Sequence, residues 1–242
     1  MATLLVGCCG WPEARARYFE HFPVVELQQT FYQLPSVALA EKWRREAPAS
    51  FHFTMKAWQL ITHPASSPTY RRLREPLSEK ERQACGWFQA TPQVWNAWER
   101  TAEIARALRA EAVVLQCPAS FRPSAANLAS LETFFARLGP QEWLLVWEPR
   151  GEWPAGIVRD LCRRFDLVHC VDPFQAEPLY GRALYLRLHG RGGYSYRYCD
   201  AELEELARKL ERWRGDGARP AYVLFNNVYM KEDALRFLRL VG

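Results

Sequence analysis

The chain has 242 residues, 49% hydrophobic and 24% charged, a balance that excludes intrinsic disorder, collagen-like repeats and a disulfide-framed miniprotein. Subtracting 27 acidic from 32 basic residues leaves +5 with His neutral, a mild bias towards anionic partners without the charge clusters of an obligate nucleic-acid binder. Seven cysteines include no C-x-x-C pair and several lie in apolar runs, so free thiols in a reducing cytoplasm are expected.

Met1 runs straight into Leu4-Leu5-Val6 without a basic leader, and no apolar stretch approaches a bilayer span, so neither secretion nor a membrane partner is expected. Apolar, β-branched or aromatic runs then predict strands at 4–8, 24–27, 51–56, 112–117, 143–148, 167–172, 183–189 and 221–225. Helical periods fall between most of them, at 37–47, 94–108, 128–138, 157–165, 201–213 and 231–240. Eight strands in this length leave about 30 residues per unit, the economy of a single α/β domain over 1–242 folded as a (β/α)8 TIM-type barrel. The stretch 64–93 is too long for an ordinary connection and reads as an elaborated loop after the third strand.

Several strands stay apolar until their last residue, where a polar group appears: Glu26, Lys56, Gln116, Glu148, Asp172, His189 and Asn226. A barrel gathers all such ends at one mouth, where catalytic groups of this architecture sit. Strand alternation sharpens the expectation. Leu184, Leu186 and Leu188 share one face and Tyr185, Arg187 and His189 the other, while Phe51, Phe53 and Met55 oppose His52, Thr54 and Lys56. With the apolar faces under helices, His52, Lys56, Arg187 and His189 point inward, and buried cations need partners, which places Glu26 and Glu148 within reach of Lys56 or Arg187. Aromatic side chains accompany the ring at Trp11, Phe31, Tyr32, Trp58, Trp153, Tyr194, Tyr196 and Tyr198, with faces suited to stacking on a sugar or base. The Gly190-Arg191-Gly192-Gly193 turn lacks dinucleotide and P-loop signatures, and no nucleophile elbow surrounds Ser120 or Ser195.

The string of motifs resembles one family, the DUF72 or YecE-like proteins, along nearly the whole chain. The resemblance rests on Gly7-Cys8-Cys9-Gly10-Trp11, Glu26 through Thr30-Phe31-Tyr32, Phe53-Thr54-Met55-Lys56-Ala57, Ile61-Thr62-His63 and Gln116-Cys117-Pro118-Ala119-Ser120-Phe121. It continues in Trp147-Glu148-Pro149-Arg150 with Trp153, Leu186-Arg187-Leu188-His189-Gly190-Arg191 with Tyr194 and Tyr198, and Phe225-Asn226-Asn227. The chain departs from the family pattern in the cysteines after Gly7, in Gln28 where Asn is frequent, and in 228–234 after the Asn-Asn pair. The resemblance implies a TIM-barrel-like fold and no settled activity.

The residues themselves suggest an enzyme using general acid/base chemistry on a small polar, anionic or sugar-like ligand. Glu148, His189 and Glu26 are the candidate catalytic groups; Lys56, Arg187, Arg191, Gln116, Asn226, Tyr194 and Tyr198 are the candidate ligand-binding groups. No metal set and no cofactor is assigned, since the potential ligands are thin in histidine and lack H-x-x-x-H spacing. Two alternatives are a nucleic-acid binding or processing protein, metal-assisted and using the basic cluster at 70–74, and a ligand-binding barrel without turnover. The sequence does not set the oligomeric state.

Overall fold

A computed structural model describes residues 2–215 and 219–242. Eight parallel strands, β1 (Leu4–Cys9), β2 (Val24–Leu27), β3 (His52–Lys56), β4 (Ala112–Gln116), β5 (Leu144–Glu148), β6 (Val168–Val171), β7 (Leu184–Leu188) and β8 (Ala221–Phe225), pair in sequence order and close on themselves. Closure runs through the β1 and β8 ladder, from Leu4 opposite Ala221 to Cys8 opposite Phe225.

Alternation along each strand divides the core into two layers. Leu5, Val24, Ala112, Val114, Val146, Val168, Tyr222 and Leu224 fill the barrel, so its lower interior is a packed plug. Phe53, Met55, Leu184, Leu186 and Leu188 face the helices instead. The parity expected from sequence therefore holds, with one difference. His52 sits at the opposite end of β3 from Lys56, at the N-terminal mouth, where its Nδ1 lies 2.5 Å from Glu111 Oε1.

The helices are α1 (Arg15–His21), α2 (Gln29–Tyr32), α3 (Val37–Glu46), α4 (Gln59–Thr62), α5 (Glu79–Gln83), α6 (Pro92–Leu108), α7 (Ala125–Leu138), α8 (Ala155–Arg164), α9 (Asp200–Arg214) and α10 (Met230–Val241). Ser36, Thr91 and Ser124 cap α3, α6 and α7 by accepting from Leu39, Val94 and Asn127 backbone N–H. These caps explain why α6 and α7 begin earlier than their apolar periods: a capped first turn is polar and carries no periodic signal. α1 and α2 are too short to show a period, yet α1 supplies the buried Tyr18, whose hydroxyl donates to Val24 O at 2.7 Å and accepts from Cys8 N at 2.8 Å.

Among the described residues β6 and β7 are joined without a helix, which makes the barrel irregular. The connection folds back on β6: His169 N donates to Tyr180 O at 3.0 Å and Leu179 N donates to His169 Nδ1 at 3.2 Å. The elaborated stretch after β3 contains a 3-10 turn at Pro68–Arg72 and α5 before α6 begins. It is pinned to α4 by three consecutive left-handed residues, Gly86, Trp87 and Phe88, whose N–H groups donate to Leu60 O, Thr62 O and Ile61 O. A Cβ on Gly86 would lie 2.2 Å from His63 O, so only glycine fits there.

No helix is long and apolar enough to cross a membrane among the described residues.

Candidate active site

The ladder register brings the polar strand ends together. Glu26 on β2 lies opposite Thr54 on β3, and Gln116 on β4 lies opposite Glu148 on β5. Arg187 on β7 enters the same layer from across the barrel and sits between two carboxylates, with Nη2 3.0 Å from Glu26 Oε1 and Nη1 2.5 Å from Glu148 Oε2. Lys56 Nζ donates to Gln116 Oε1 at 2.5 Å, and Gln116 Nε2 lies 3.1 Å from each Glu148 oxygen. Tyr185 donates to Glu26 Oε2 at 2.8 Å, and Gln28 donates to Glu26 Oε1. The carboxylates expected near the inward cations thus pair with Arg187, while Lys56 is met by the Gln116 amide.

Towards solvent the network continues through two residues beyond the strands. Arg150 Nε donates to Glu148 Oε1 at 3.0 Å, and Arg150 Nη2 lies 2.6 Å from His189 Nε2. Arginine has only donors, so Nε2 accepts and the imidazole proton resides on Nδ1. His189 Nδ1 lies 3.6 Å from Asp172 Oδ2. Asp172 is itself fixed by backbone N–H groups, accepting from Phe174 at 3.0 Å and from His189 at 3.0 Å.

Exposure grades along this chain. The Arg187 and Glu26 side chains are 1% and 0% exposed, Glu148 7%, His189 21% and Arg150 41%. Burial alone would raise the Glu148 carboxyl, but Arg187, Arg150, His189 and Lys56 together hold it well below the usual carboxylate range. Arg187 is likewise opposed by burial yet kept firmly charged by Glu148 and Glu26. Lys56 goes the other way: burial, then the neighbouring Arg187, push its amine down to about 7 against the pull of Glu148 and Glu26. His63, edge-on to Phe31 at 4.8 Å, is pushed down to about 3 by burial and by Lys56 and Arg150.

A cavity of about 480 Å³ opens on this chain, walled by Glu148, Arg150, His169, Asp172, Gln175 and His189 among others. Glu26, Lys56, Gln116, Glu148, Arg187 and His189 therefore converge. Other candidates do not join them. Arg191 is engaged by Glu202 at 3.2 Å and lies over Phe174, while Tyr198 is buried with its hydroxyl accepting from Gly190 N at 2.8 Å. Tyr194 is exposed on the β7 side, and Asn226 stands just past β8 with its backbone N–H on Leu188 O. Of the aromatic candidates, Phe31 meets the cluster, with Lys56 Nζ 4.0 Å from its ring centre; Trp11 and Trp153 pack against Tyr18 and Trp147.

Asp172 and Tyr185, which the sequence put at the mouth and on the inward face without a role, join the site, and so do Arg150, Gln28 and His169, which sequence reasoning did not place in it. Asp172 and Tyr185 carried a signal, as a polar strand end and by inward parity. Arg150 carried only its place two residues after Glu148. Among the described residues no three His, Cys, Asp or Glu side chains converge as a metal-holding set. The carboxylates here face guanidinium groups and amides instead.

The model of the family described as "Protein of unknown function DUF72" matches residues 6–241. The chain belongs to the DUF72 family. Within reach of this DUF72 barrel is UPF0759 protein YunF of Bacillus subtilis (strain 168), 25% identical and aligned over 87% of this chain and 79% of that protein. A DUF72 family crystal structure from Enterococcus faecalis V583 superposes with a TM-score of 0.76 at 20% identity, covering 100% of this chain and 98% of that one. D-allulose 3-epimerase from Methylomonas sp., solved in complex with D-allulose, shares the fold at a TM-score of 0.59 and 11% identity, covering 100% and 97% of the two chains.

Proposed function

We propose that this DUF72 protein is an enzyme that binds a small anionic, sugar-like molecule at the C-terminal mouth and moves a proton on it with His189. The observation that carries the reading is the position of Arg150, which at 41% exposure caps both His189 Nε2 and Glu148 from the cavity wall. An anionic group entering the cavity draws that guanidinium towards itself, because the arginine is more exposed than Arg187, Lys56 or His189 and a carboxylate or phosphate matches its donor fork. His189 Nε2 then keeps only the longer contact from Arg187 Nη1 at 3.4 Å, which frees its lone pair for the ligand. Asp172 near Nδ1 favours the imidazolium that results from proton abstraction, and its own backbone hydrogen bonds keep it in place. Arg187 and Glu148 act behind this pair, holding the charge distribution of the mouth. The fold neighbour solved with a ketose supports a sugar-like ligand by fold analogy alone.

Nucleic-acid binding has less support. The basic cluster at 70–74 is folded into the loop itself, with Tyr70 buried, Arg72 over the Tyr32 ring at 3.5 Å and Arg74 N donating to Gln33 Oε1 at 3.1 Å.

The test is solvent-deuterium exchange. Sugar phosphates and aldonates are incubated with the protein in D2O and followed by NMR. Exchange at a carbon next to a carbonyl is expected for at least one compound, falling by about 10²–10⁴-fold in His189→Asn. No exchange by any compound, or undiminished exchange in the variant, overturns the reading.

A further inference from the structure

Lys56 is the one cation of the mouth that proton transfer by His189 leaves without a part. Among the described residues its Nζ has no carboxylate oxygen within 4.0 Å, because Glu26 and Glu148 are both taken up by Arg187, and Glu148 by Arg150 as well. An ammonium carries three N–H donors. Here one donates to Gln116 Oε1, and the nitrogen lies 4.0 Å from the centre of the Phe31 ring, in a residue 5% exposed. Burial and the neighbouring Arg187, with no carboxylate in contact, favour the neutral, nucleophilic form, against the weaker support that the Gln116 oxygen and the Phe31 face give the ammonium. Its one polar partner also links it to the cavity: Gln116 accepts from Nζ and donates to Glu148, which lines the opening.

We propose that Lys56 is a nucleophile that captures the carbonyl carbon of a small anionic aldehyde or ketone as an imine. The Nζ lone pair forms the C–N bond while the C=O π pair moves to oxygen. The nitrogen gives up a proton and the oxygen gains one, producing a neutral carbinolamine. Protonation of its hydroxyl, departure of water and loss of the second N–H proton then complete C=N. No oxidant or reductant enters, and the one molecule released is water. The ring of Phe31 shields one side of the nitrogen, and Gln116 Oε1 fixes its orientation by holding an N–H. Arg187 opposes reprotonation of the amine, and the partly exposed Arg150 offers a guanidinium to an anionic carbonyl compound. The inference rests on the reading of this mouth as a small-molecule site and adds to it a covalent step and a substrate class.

The experiment uses the full chain with dihydroxyacetone phosphate or glyceraldehyde 3-phosphate and sodium cyanoborohydride, which reduces an imine to a stable secondary amine, followed by tryptic peptide mapping. The chain has five lysines, and Lys42, Lys80, Lys209 and Lys231 serve as internal controls. At pH 7.5 Lys56 is expected to be labelled roughly 600-fold faster than any of them, the ratio of neutral amine at a pKa near 7 to that of an ordinary lysine. Tryptic cleavage after Lys56 is lost in step. The labelling rate should level off above about pH 7, where this amine is already neutral, while the controls continue to gain.

Glycerol 3-phosphate, the same anion without a carbonyl, should suppress the labelling and raise the thermal stability of the unmodified protein. Labelling spread evenly over the five lysines overturns the inference. An unlabelled Lys56 with glycerol 3-phosphate still stabilising the protein overturns it and leaves the small-molecule site standing. An unlabelled Lys56 with no stabilisation by glycerol 3-phosphate overturns the inference and counts against the site as well. Lys56→Met is the covalent blank, and wild-type competition by glycerol 3-phosphate keeps the test decisive should that variant fold poorly.

Discussion

At the N-terminal mouth of the barrel His52 Nδ1 approaches Glu111 Oε1 to 2.5 Å, and Tyr222 donates to Glu111 Oε2 at 2.7 Å, with the His and Glu side chains 28% and 40% exposed. At the C-terminal mouth a similar number of contacts joins Arg187 to Glu26 and Glu148, but those three side chains are 7% exposed or less. The same chemistry in water and out of water has different consequences. A half-exposed pair is screened and contributes little, whereas an ionised group removed from water must keep its partner or destabilise the fold. One end of this barrel is closed by a polar edge of small energetic weight; the other holds a buried charge network that apolar side chains would close with less desolvation.

The contrast is sharpest in Arg187→Met. It leaves Glu26 and Glu148 buried without their shared cation, so a loss of about 3–5 kcal/mol in urea unfolding is expected. Equal destabilisation by Arg187→Met and Glu111→Gln would erase the distinction between the two ends. Tyr185→Phe comes next: it strips from Glu26 a buried donor that also bonds Thr54 Oγ1 at 2.8 Å, at a cost of about 1–3 kcal/mol. Retained stability in that variant would mean that Glu26 is satisfied without it.

Lys56 gives a pH signature. Its folded pKa of about 7 lies below the value near 10.5 of the unfolded chain, so between these the unfolded state holds a proton that the folded state lacks. Stability should therefore rise with pH from about 7 towards 10.5, and level off below the folded value, relative to Lys56→Met; parallel curves for the two proteins would contradict the burial of this amine. His63 and His169, both pushed down by burial, to about 3 and about 4, act in the acid range. The unfolded chain takes up protons on them below about 6.5 while the native chain does not, so stability should decline from there towards pH 4, and His169→Asn should flatten part of that limb. The smallest effect is expected from His52→Gln, under about 1 kcal/mol.

Much of this was legible in the sequence, for an identifiable reason. A barrel strand with one face under helices and the other in the interior must alternate, so Leu184, Leu186 and Leu188 reveal the inward side of β7 and with it Arg187. The same alternation reveals Lys56 from Phe53 and Met55 on β3. What stayed hidden depends on geometry beyond the strands. Arg150 and the ion pairs that hold Arg191 away are set by loop conformation, which leaves no period. The turn at Gly86, Trp87 and Phe88 is left-handed in two residues with side chains that rarely adopt it, so its sequence does not announce it. The β6–β7 connection lacks a helix, in keeping with the absence of a helical period between 167–172 and 183–189. Parity also could not say at which end of β3 a polar residue matters: His52 and Lys56 share a face and close opposite mouths.

In the proposed reading the C-terminal mouth is a ligand site governed by Arg150 while the N-terminal mouth is structural. Thermal unfolding of the wild type, Arg150→Gln and His52→Gln against a panel of sugar phosphates and aldonates tests it most directly. At least one compound should raise the melting temperature of the wild type and of His52→Gln alike, with the rise lost in Arg150→Gln. A rise that persists in Arg150→Gln, or that disappears in His52→Gln, would contradict the assignment.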